Sequence, residues 1–446
     1  MIGLTGCGPT AEVLTTATPP PTGAIRPTGG GQPTEGGQPS TSSGPSATVD
    51  PSASQAPPTD GTSTGIPLVT PTPFSGPVWE ALADYPAGEA FEVTSVTSLV
   101  DGGFAAVGFQ PIPGEGFFGR QQGVTWTSVD GRTWQSAVDA AFQFATLEDV
   151  VEFGGAIFVF GTIETCNINL SEDCVEPPDS GSAAWRQTAG AAWERLPLPL
   201  SMQSGTMAGV VAANDHLLAF GWTGDEARSV VWTSVDGVTW SETADLAGMD
   251  PVSAMSAGPT GVVAFGNRLA SELGDLELLA TVSGDFNHFG RVDAPALAST
   301  IIQSVTMGGS GLVAVGDSDD EDFNLNGVAL HSADGLAWTQ TSAPDGSFAG
   351  ASLLSVHAVP NGYVALGRVP LLDEFGVVTG GSWFSSDGLS WRRLAPFGER
   401  FTELDTSAAG TTGIVAFTVT QEESGEESVI STISAWFAPI EALAGQ

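Results

Sequence analysis

The chain contains no lysine. Its twelve basic residues are all arginine and face 51 acidic residues, for a formal net charge of -39 across 446 residues. A protein so poor in cations does not hold DNA or RNA by neutralising phosphates. Nor does it dock on anionic lipid through a basic patch. Cysteine occurs three times, tyrosine twice and histidine four times. The histidines are dispersed, with no metal-ligand spacing. No Ser-His-Asp order and no Gly-rich phosphate loop stands out. No run of about 18 apolar residues occurs, so no helix is expected to span a bilayer.

What is abundant is glycine (58), proline (30) and apolar residues (41%), enough for a large core. The chain opens Met-Ile-Gly-Leu-Thr-Gly-Cys-Gly. Leu4-Thr5-Gly6-Cys7 resembles the lipobox of bacterial lipoproteins, an apolar residue and two small ones before a cysteine. The resemblance implies cleavage before Cys7 and a lipid on its sulfur. Only six residues precede Cys7 and none is basic, so Met1 is read as lying inside a longer leader. Residues 1-7 are then a signal-peptide remnant. Residues 8-74 are rich in Pro, Thr, Ser and Gly and lack aromatics until Phe74. Such a segment buries too little apolar area to offset its ordering entropy, and it is expected to be a disordered tether.

The folded part is expected over 75-446. Short apolar-aromatic runs alternate there with Gly, Asp-Gly and Asn-Gly turns, an all-β pattern. An apolar run closing in glycine recurs at intervals of about 50 residues, ending at Gly108, Gly161, Gly221, Gly266, Gly316 and Gly367, with a weaker seventh at Thr418. A Ser-x-Asp-Gly-x-x-Trp turn follows in four copies: Ser128, Asp130, Gly131 and Trp134; Ser234, Asp236, Gly237 and Trp240; Ser332, Asp334, Gly335 and Trp338; Ser385, Asp387, Gly388 and Trp391. Two worn copies run from Gln187 to Trp193, lacking Asp, and from Ser283 to Phe289. Each unit reads as four antiparallel strands, A to D. In the first unit these are Val93–Leu99, Phe104–Phe109, Val124–Ser128 and Thr133–Val138. Units of this kind are propeller blades, and seven are expected. The missing outer strand of the last blade is assigned to Pro77–Leu82, pairing with Ser428–Phe437. A simpler alternative puts Trp436 in that blade's own outer strand.

The turn resembles the Asp-box, or bacterial neuraminidase repeat, whose usual form is one residue longer. The physics of the pattern gives the four aspartates a structural role. An Asp carboxylate in a turn accepts bonds from the following backbone N–H groups, and Gly takes the left-handed conformation beside it. The Trp ring then covers the turn. Sialidases carry this repeat, so the resemblance also raises a sialidase-like glycoside hydrolase, with a Tyr nucleophile and three Arg on a substrate carboxylate. Tyr363 starts a strand B on the turn face, away from a central cleft, whereas Tyr85 lies in a connection on the other face.

The B–C connections, 110–121, 162–183, 222–228, 267–277, 317–327, 368–381 and 419–427, differ in length and share one face. Function is expected there, in binding or assembly with a protein or glycan. Phe117, Phe118, Trp222 and Phe375 are the aromatic candidates, and Trp222 fits no strand position. Cys166 and Cys174, eight residues apart in the longest loop, are expected to form a disulfide in an exported protein. Asp322, Asn324 and Asn326, followed by Gly327, match the opening of a calcium loop, with Asp320 nearby. Position twelve of that pattern is Ala333 rather than Glu, so a solvated acidic loop is the competing reading, and no other cofactor is expected. The expectation is thus a monomeric, extracytoplasmic, lipid-anchored propeller.

Overall fold

The computed structural model describes residues 79–444 apart from 84, 86–91, 113–119, 165–180, 224–227, 244–245, 247, 250, 270–275, 296, 298, 320–324, 371–377, 399–401 and 424–428. The expected remnant, the tether, Cys7, Cys166, Cys174, Phe117, Phe118, Phe375, Asp320, Asp322 and Asn324 lie outside the described residues.

The chain forms seven four-stranded antiparallel sheets, a seven-bladed β-propeller. The inner strands A are Glu92–Ser98, Ala145–Phe153, Thr206–Ala213, Val252–Gly258, Thr300–Gly308, Ser352–Val359 and Thr402–Ala409. They number blades 1 to 7 and stand side by side around a ring, blade 7 against blade 1. Because neighbours are antiparallel, the B–C and D–A connections share one end of every blade. The A–B and C–D turns share the other.

Apolar side chains alternate along each strand B and so reach both neighbouring blades. Leu312 and Ala314 pack toward blade 4, while Val313 and Val315 pack toward blade 6. The result is seven apolar clusters, one between each pair of adjacent blades. Trp126, Trp185, Trp232 and Trp383, all in strands C, are among the largest fully buried side chains.

Every strand A carries a β-bulge at the same place. The extra residues are Thr94, Glu148, Ala208, Ser253, Gln303, Leu354 and Asp405. In blades 1 to 6 the glycine that closes the apolar run lies against this bulged stretch, whereas blade 7 carries Thr418 there. A Cβ at Gly108, Gly161, Gly221, Gly266, Gly316 or Gly367 would overlap a backbone carbonyl at the start of strand A or just before it. These glycines are clearances within strand B and not its end. Strand B of blade 1, for example, runs Phe104–Pro111, and strand C starts at Gln121. The B–C connections are therefore shorter than the sequence suggests. Trp222 is a correction on this ground. It lies in strand B of blade 3, His216–Thr223, half-buried and paired with Thr206 and Ser229. Asn326 likewise belongs to strand C of blade 5, paired with Ser318, and not to a loop. The outer strand of blade 1 also starts later and runs further than expected, Gln135–Gln143.

The ring closes with the upstream strand. Glu80–Ala81 pairs with Val429–Pro439, Glu80 opposite Phe437 and Ala81 opposite Trp436. Trp436 is thus in strand C of blade 7, which settles the alternative. Trp79 anchors the closure, its ring 4.8 Å from that of Phe397 and its Nε1 donating to Ser382 Oγ at 3.3 Å. No described helix is long and apolar enough to cross a membrane.

Candidate functional site

The four full Ser-Asp-Gly-Trp turns sit at the turn end and use their polar atoms locally. Ser Oγ accepts from the glycine N–H at 2.8–2.9 Å in each. Asp130 Oδ1 accepts from the N–H groups of Arg132 and Thr133, both at 2.8 Å. Asp236 does the same with Val238 and Thr239, at 2.8 and 2.7 Å. These bonds favour the charged form and hold Asp236 down at about 2. Trp134 and Trp338 each donate Nε1 to the carbonyl of their own turn glycine. The worn copy in blade 4 keeps the device. Asp285 accepts from Asn287 and His288, and Phe286 takes the left-handed place of glycine at φ 61°.

The inner strands line a central cavity of about 520 Å³ to which all seven blades contribute. Hydrogen bonds stitch its wall from blade to blade. Ser95 Oγ donates to Asp149 Oδ1 at 2.8 Å, and Asp149 Oδ2 accepts from the Val210 N–H at 2.7 Å. Ser407 Oγ lies 2.8 Å from both Ser355 Oγ and His357 Nε2. Burial lowers His357 to about 4, so the ring is neutral at physiological pH.

Acidic residues gather near the loop-side starts of the inner strands. Burial raises Glu92, at the start of strand A in blade 1, to about 7. In blade 2, burial, with the charges of Asp149 and Glu164, raises Glu148 to about 7, although Thr162 Oγ1 donates to it at 3.0 Å. Asp149 is raised to about 6, again by burial. Burial also raises Asp317 of blade 5, against a bond from Ser352 Oγ and the charge of Arg368. Arg368 of blade 6 pairs with Glu403 of blade 7 at 3.4 Å. Asp405 is pushed well up by burial, then by Glu92 and Glu403, and its Oδ2 has no hydrogen-bond partner. Tyr85 is 7% exposed, its hydroxyl has no partner, and burial followed by the charge of Asp405 raises it. Sequence reasoning passed over these acids. The signal available was register: aligned on the closing glycines, Glu148 and Asp405 fall at one position of strand A.

The two tyrosines separate. Tyr363 is buried at the turn end, where its hydroxyl donates to the Gly311 carbonyl at 2.7 Å and accepts from Ser310 Oγ at 3.1 Å. It ties blade 6 to blade 5. Tyr85 is buried between blades 7 and 1, against Trp126 and Phe417 and within the field of Asp405. Five arginines are paired with glutamates in five different blades: Arg132 with Glu80, Arg186 with Glu194, Arg228 with Glu242, Arg268 with Glu277 and Arg368 with Glu403. Among the described residues, no group of three or more His, Cys, Asp or Glu is arranged to hold a metal ion.

No known protein-family profile and no curated protein matches the chain. Among solved structures it is similar to YCF48 bound to D1 peptide, at 12% identity and a TM-score of 0.45, over 81% of this chain and 96% of that one. A Trypanosoma rangeli sialidase in complex with the inhibitor DANA is similar at 12% identity and a TM-score of 0.39, over 80% of this chain. This chain covers 56% of that sialidase, little more than half its length. The β-propeller domain of the Trilobed protease from Pyrococcus furiosus is similar at 10% identity and a TM-score of 0.46, over 77% of this chain and 98% of that one. At these identities the likeness is one of fold.

Proposed function

We propose that this chain is a binding or assembly propeller that recognises a protein or glycan partner through its loop-side face, held outside the cytoplasm by a lipid on Cys7. The turns belong to the Asp-box class in this reading, and they brace the ring without touching the partner. One observation supports the reading above the others. Hydrogen bonds stitch the inner wall from blade to blade, and buried carboxyls stand near the loop-side starts of the inner strands, beside connections of mixed length. Variable loops on a rigid scaffold are where recognition is usually placed.

Cross-linking tests it directly. The chain has no lysine, so coupling of its carboxylates to partner amines reports its acidic positions alone. In envelope extract, links to a partner should fall on the loop side. Links concentrated on Asp130, Asp236, Asp334 and Asp387 would place recognition on the opposite end. Replacing Cys7 by Ser should move the chain from the detergent to the aqueous phase on phase partitioning. Unchanged partitioning contradicts the lipid.

A sialidase-like hydrolase is the second reading, favoured by the phenol of Tyr85 beside the Asp405 carboxyl. Against it stands the charge around Tyr85. An anionic sugar would meet Glu92, Glu403 and Asp405, while the paired arginines are spread around the ring. Turnover of a fluorogenic sialoside, lost on Tyr85→Phe, would establish the hydrolase instead.

A further inference from the structure

We propose that the central cavity is a binding site for a compact neutral polyol, entered from the turn end of the ring. The proposal goes beyond the loop-side reading and does not depend on it.

The place comes first. Wherever an inner strand lines the cavity, it does so at its bulge or on the turn side of it. In blade 3 the lining starts at the bulged Ala208 and runs to Ala212. In blade 5 it starts at the bulged Gln303 and runs to Thr306. The strand starts before the bulges take no part. The cavity therefore belongs to the turn-side half of the ring. Val100 of the first A–B turn, 90% exposed, and the exposed Ala212 also line it, so it opens to solvent at that end. Its volume of about 520 Å³ falls within the range of small-ligand pockets.

The wall then sets the chemistry. Ser253 and Ser256 donate their protons to the carbonyls of Phe265 and Ala257, at 3.4 and 3.3 Å, and keep oxygen lone pairs for an incoming donor. Ser304 is reversed: its Oγ accepts from the Val356 N–H at 3.2 Å, which leaves its proton to donate. Val210, Met255, Val305 and Val356 also line the cavity. A polyol, with C–H faces between its hydroxyls, matches a wall of donors, acceptors and apolar groups.

Gln303 supplies the anchor. It lines the bulge end of the cavity, is 1% exposed, and neither the oxygen nor the nitrogen of its amide has a partner. Buried polar atoms are ordinarily satisfied. The oxygen needs a donor and the nitrogen an acceptor, and neighbouring hydroxyls on one ligand serve both.

Charge narrows the class. Among the described residues no arginine lines the cavity, so an anion finds no counter-charge there. The two acids of its wall are already engaged by the chain. Asp149 accepts from Ser95 Oγ and the Val210 N–H, and Glu152 Oε2 accepts from the Val100 N–H at 2.6 Å. Neither calls for a cation.

The probe is myo-inositol, followed by saturation-transfer NMR on the full chain. Cyclohexanol is the apolar comparator and inositol 1-phosphate the anionic one. Transfer to myo-inositol is expected, with little to either comparator at equal concentration. Gln303→Leu removes the unpaired amide at similar volume. It should raise the melting midpoint, because an unsatisfied buried group is lost, and yet weaken inositol binding about tenfold. Ala212→Trp covers the opening and should weaken binding about tenfold as well. Thr206→Trp, at the exposed loop-side end of the same strand, should leave binding unchanged. No transfer to inositol in the folded wild type overturns the inference, as does undiminished binding by Gln303→Leu. Equal effects of the two Trp variants would refute entry from the turn end, and transfer to cyclohexanol as strong as to inositol would refute a polyol site. A midpoint lowered by Gln303→Leu would show the amide already satisfied and remove the anchor. Loop-side cross-links to a partner stand or fall separately from all of these.

Discussion

Gly316 in strand B of blade 5 lies directly against the carbonyl of Ile301, so closely that a Cβ would overlap the oxygen. The relationship repeats in six blades. Gly316→Ala must displace the bulged inner strand, at a cost of about 3 kcal/mol. Gly309→Ala, in the adjacent turn with nothing within 4 Å of a new Cβ, should stay within about 0.5 kcal/mol of wild type. Denaturant midpoints of the two variants measure the difference.

Phe286 offers a contest of two effects. Its left-handed backbone costs about 1–2 kcal/mol relative to glycine. Its ring is buried and stacks on His216 at 4.3 Å between centroids, a contact set worth about 3–5 kcal/mol. Packing is the larger, so Phe286→Gly should lower the melting midpoint even though it restores the repeat's usual residue. A rise would show that backbone strain dominates.

Asp236→Ala removes the acceptor for two backbone N–H groups and should cost about 1–2 kcal/mol, like the loss of a helix cap. The urea midpoint should fall while partner cross-linking persists. Loss of cross-linking in a folded Asp236→Ala protein would assign the turn a direct role in recognition.

Stability should fall as pH rises from the acidic side. Glu92 and Glu148 titrate near 7 in the folded chain against an ordinary value of 4.5. The unfolded chain ionises them first. Their contribution is intact below about 4.5 and is lost by about 7, about 3 kcal/mol each as an upper figure. Asp149 follows the same sign up to about 6. His357 opposes them. Its value falls from 6.5 to about 4, so its contribution is lost as pH falls through that window. The carboxylates outweigh the single imidazole, and the melting midpoint at about pH 5.5 should exceed that at about pH 8. The reverse order would mean these acids are hydrated in the native state.

Blade number, strand order and the closing strand were legible in the sequence, because each blade repeats the same requirements. The apolar runs of strand B face a neighbour on both sides, and the turn aspartates satisfy themselves within a few residues. Strand ends were misread. Gly221 looks like a terminator when the local run alone is considered, yet its cause is the Thr206 carbonyl on another strand. Trp222 was mislaid in a loop for that reason. The acids near the starts of the inner strands were hidden differently. Glu92 and Asp405 are unremarkable in their own segments and become a cluster only when ring closure sets blade 1 beside blade 7.

That closure also dictates an order of events during synthesis. Glu80 and Ala81 leave the ribosome ahead of every other strand of the ring, yet their partners, Phe437 and Trp436, lie in the strand that is made after all the others. Until then the nascent chain is an arc with two open ends. Emergence of the strand Val429–Pro439, rather than any local nucleus, is the step that turns the arc into a circle, and a product stalled or truncated before it is left with unpaired sheet edges that invite misassociation.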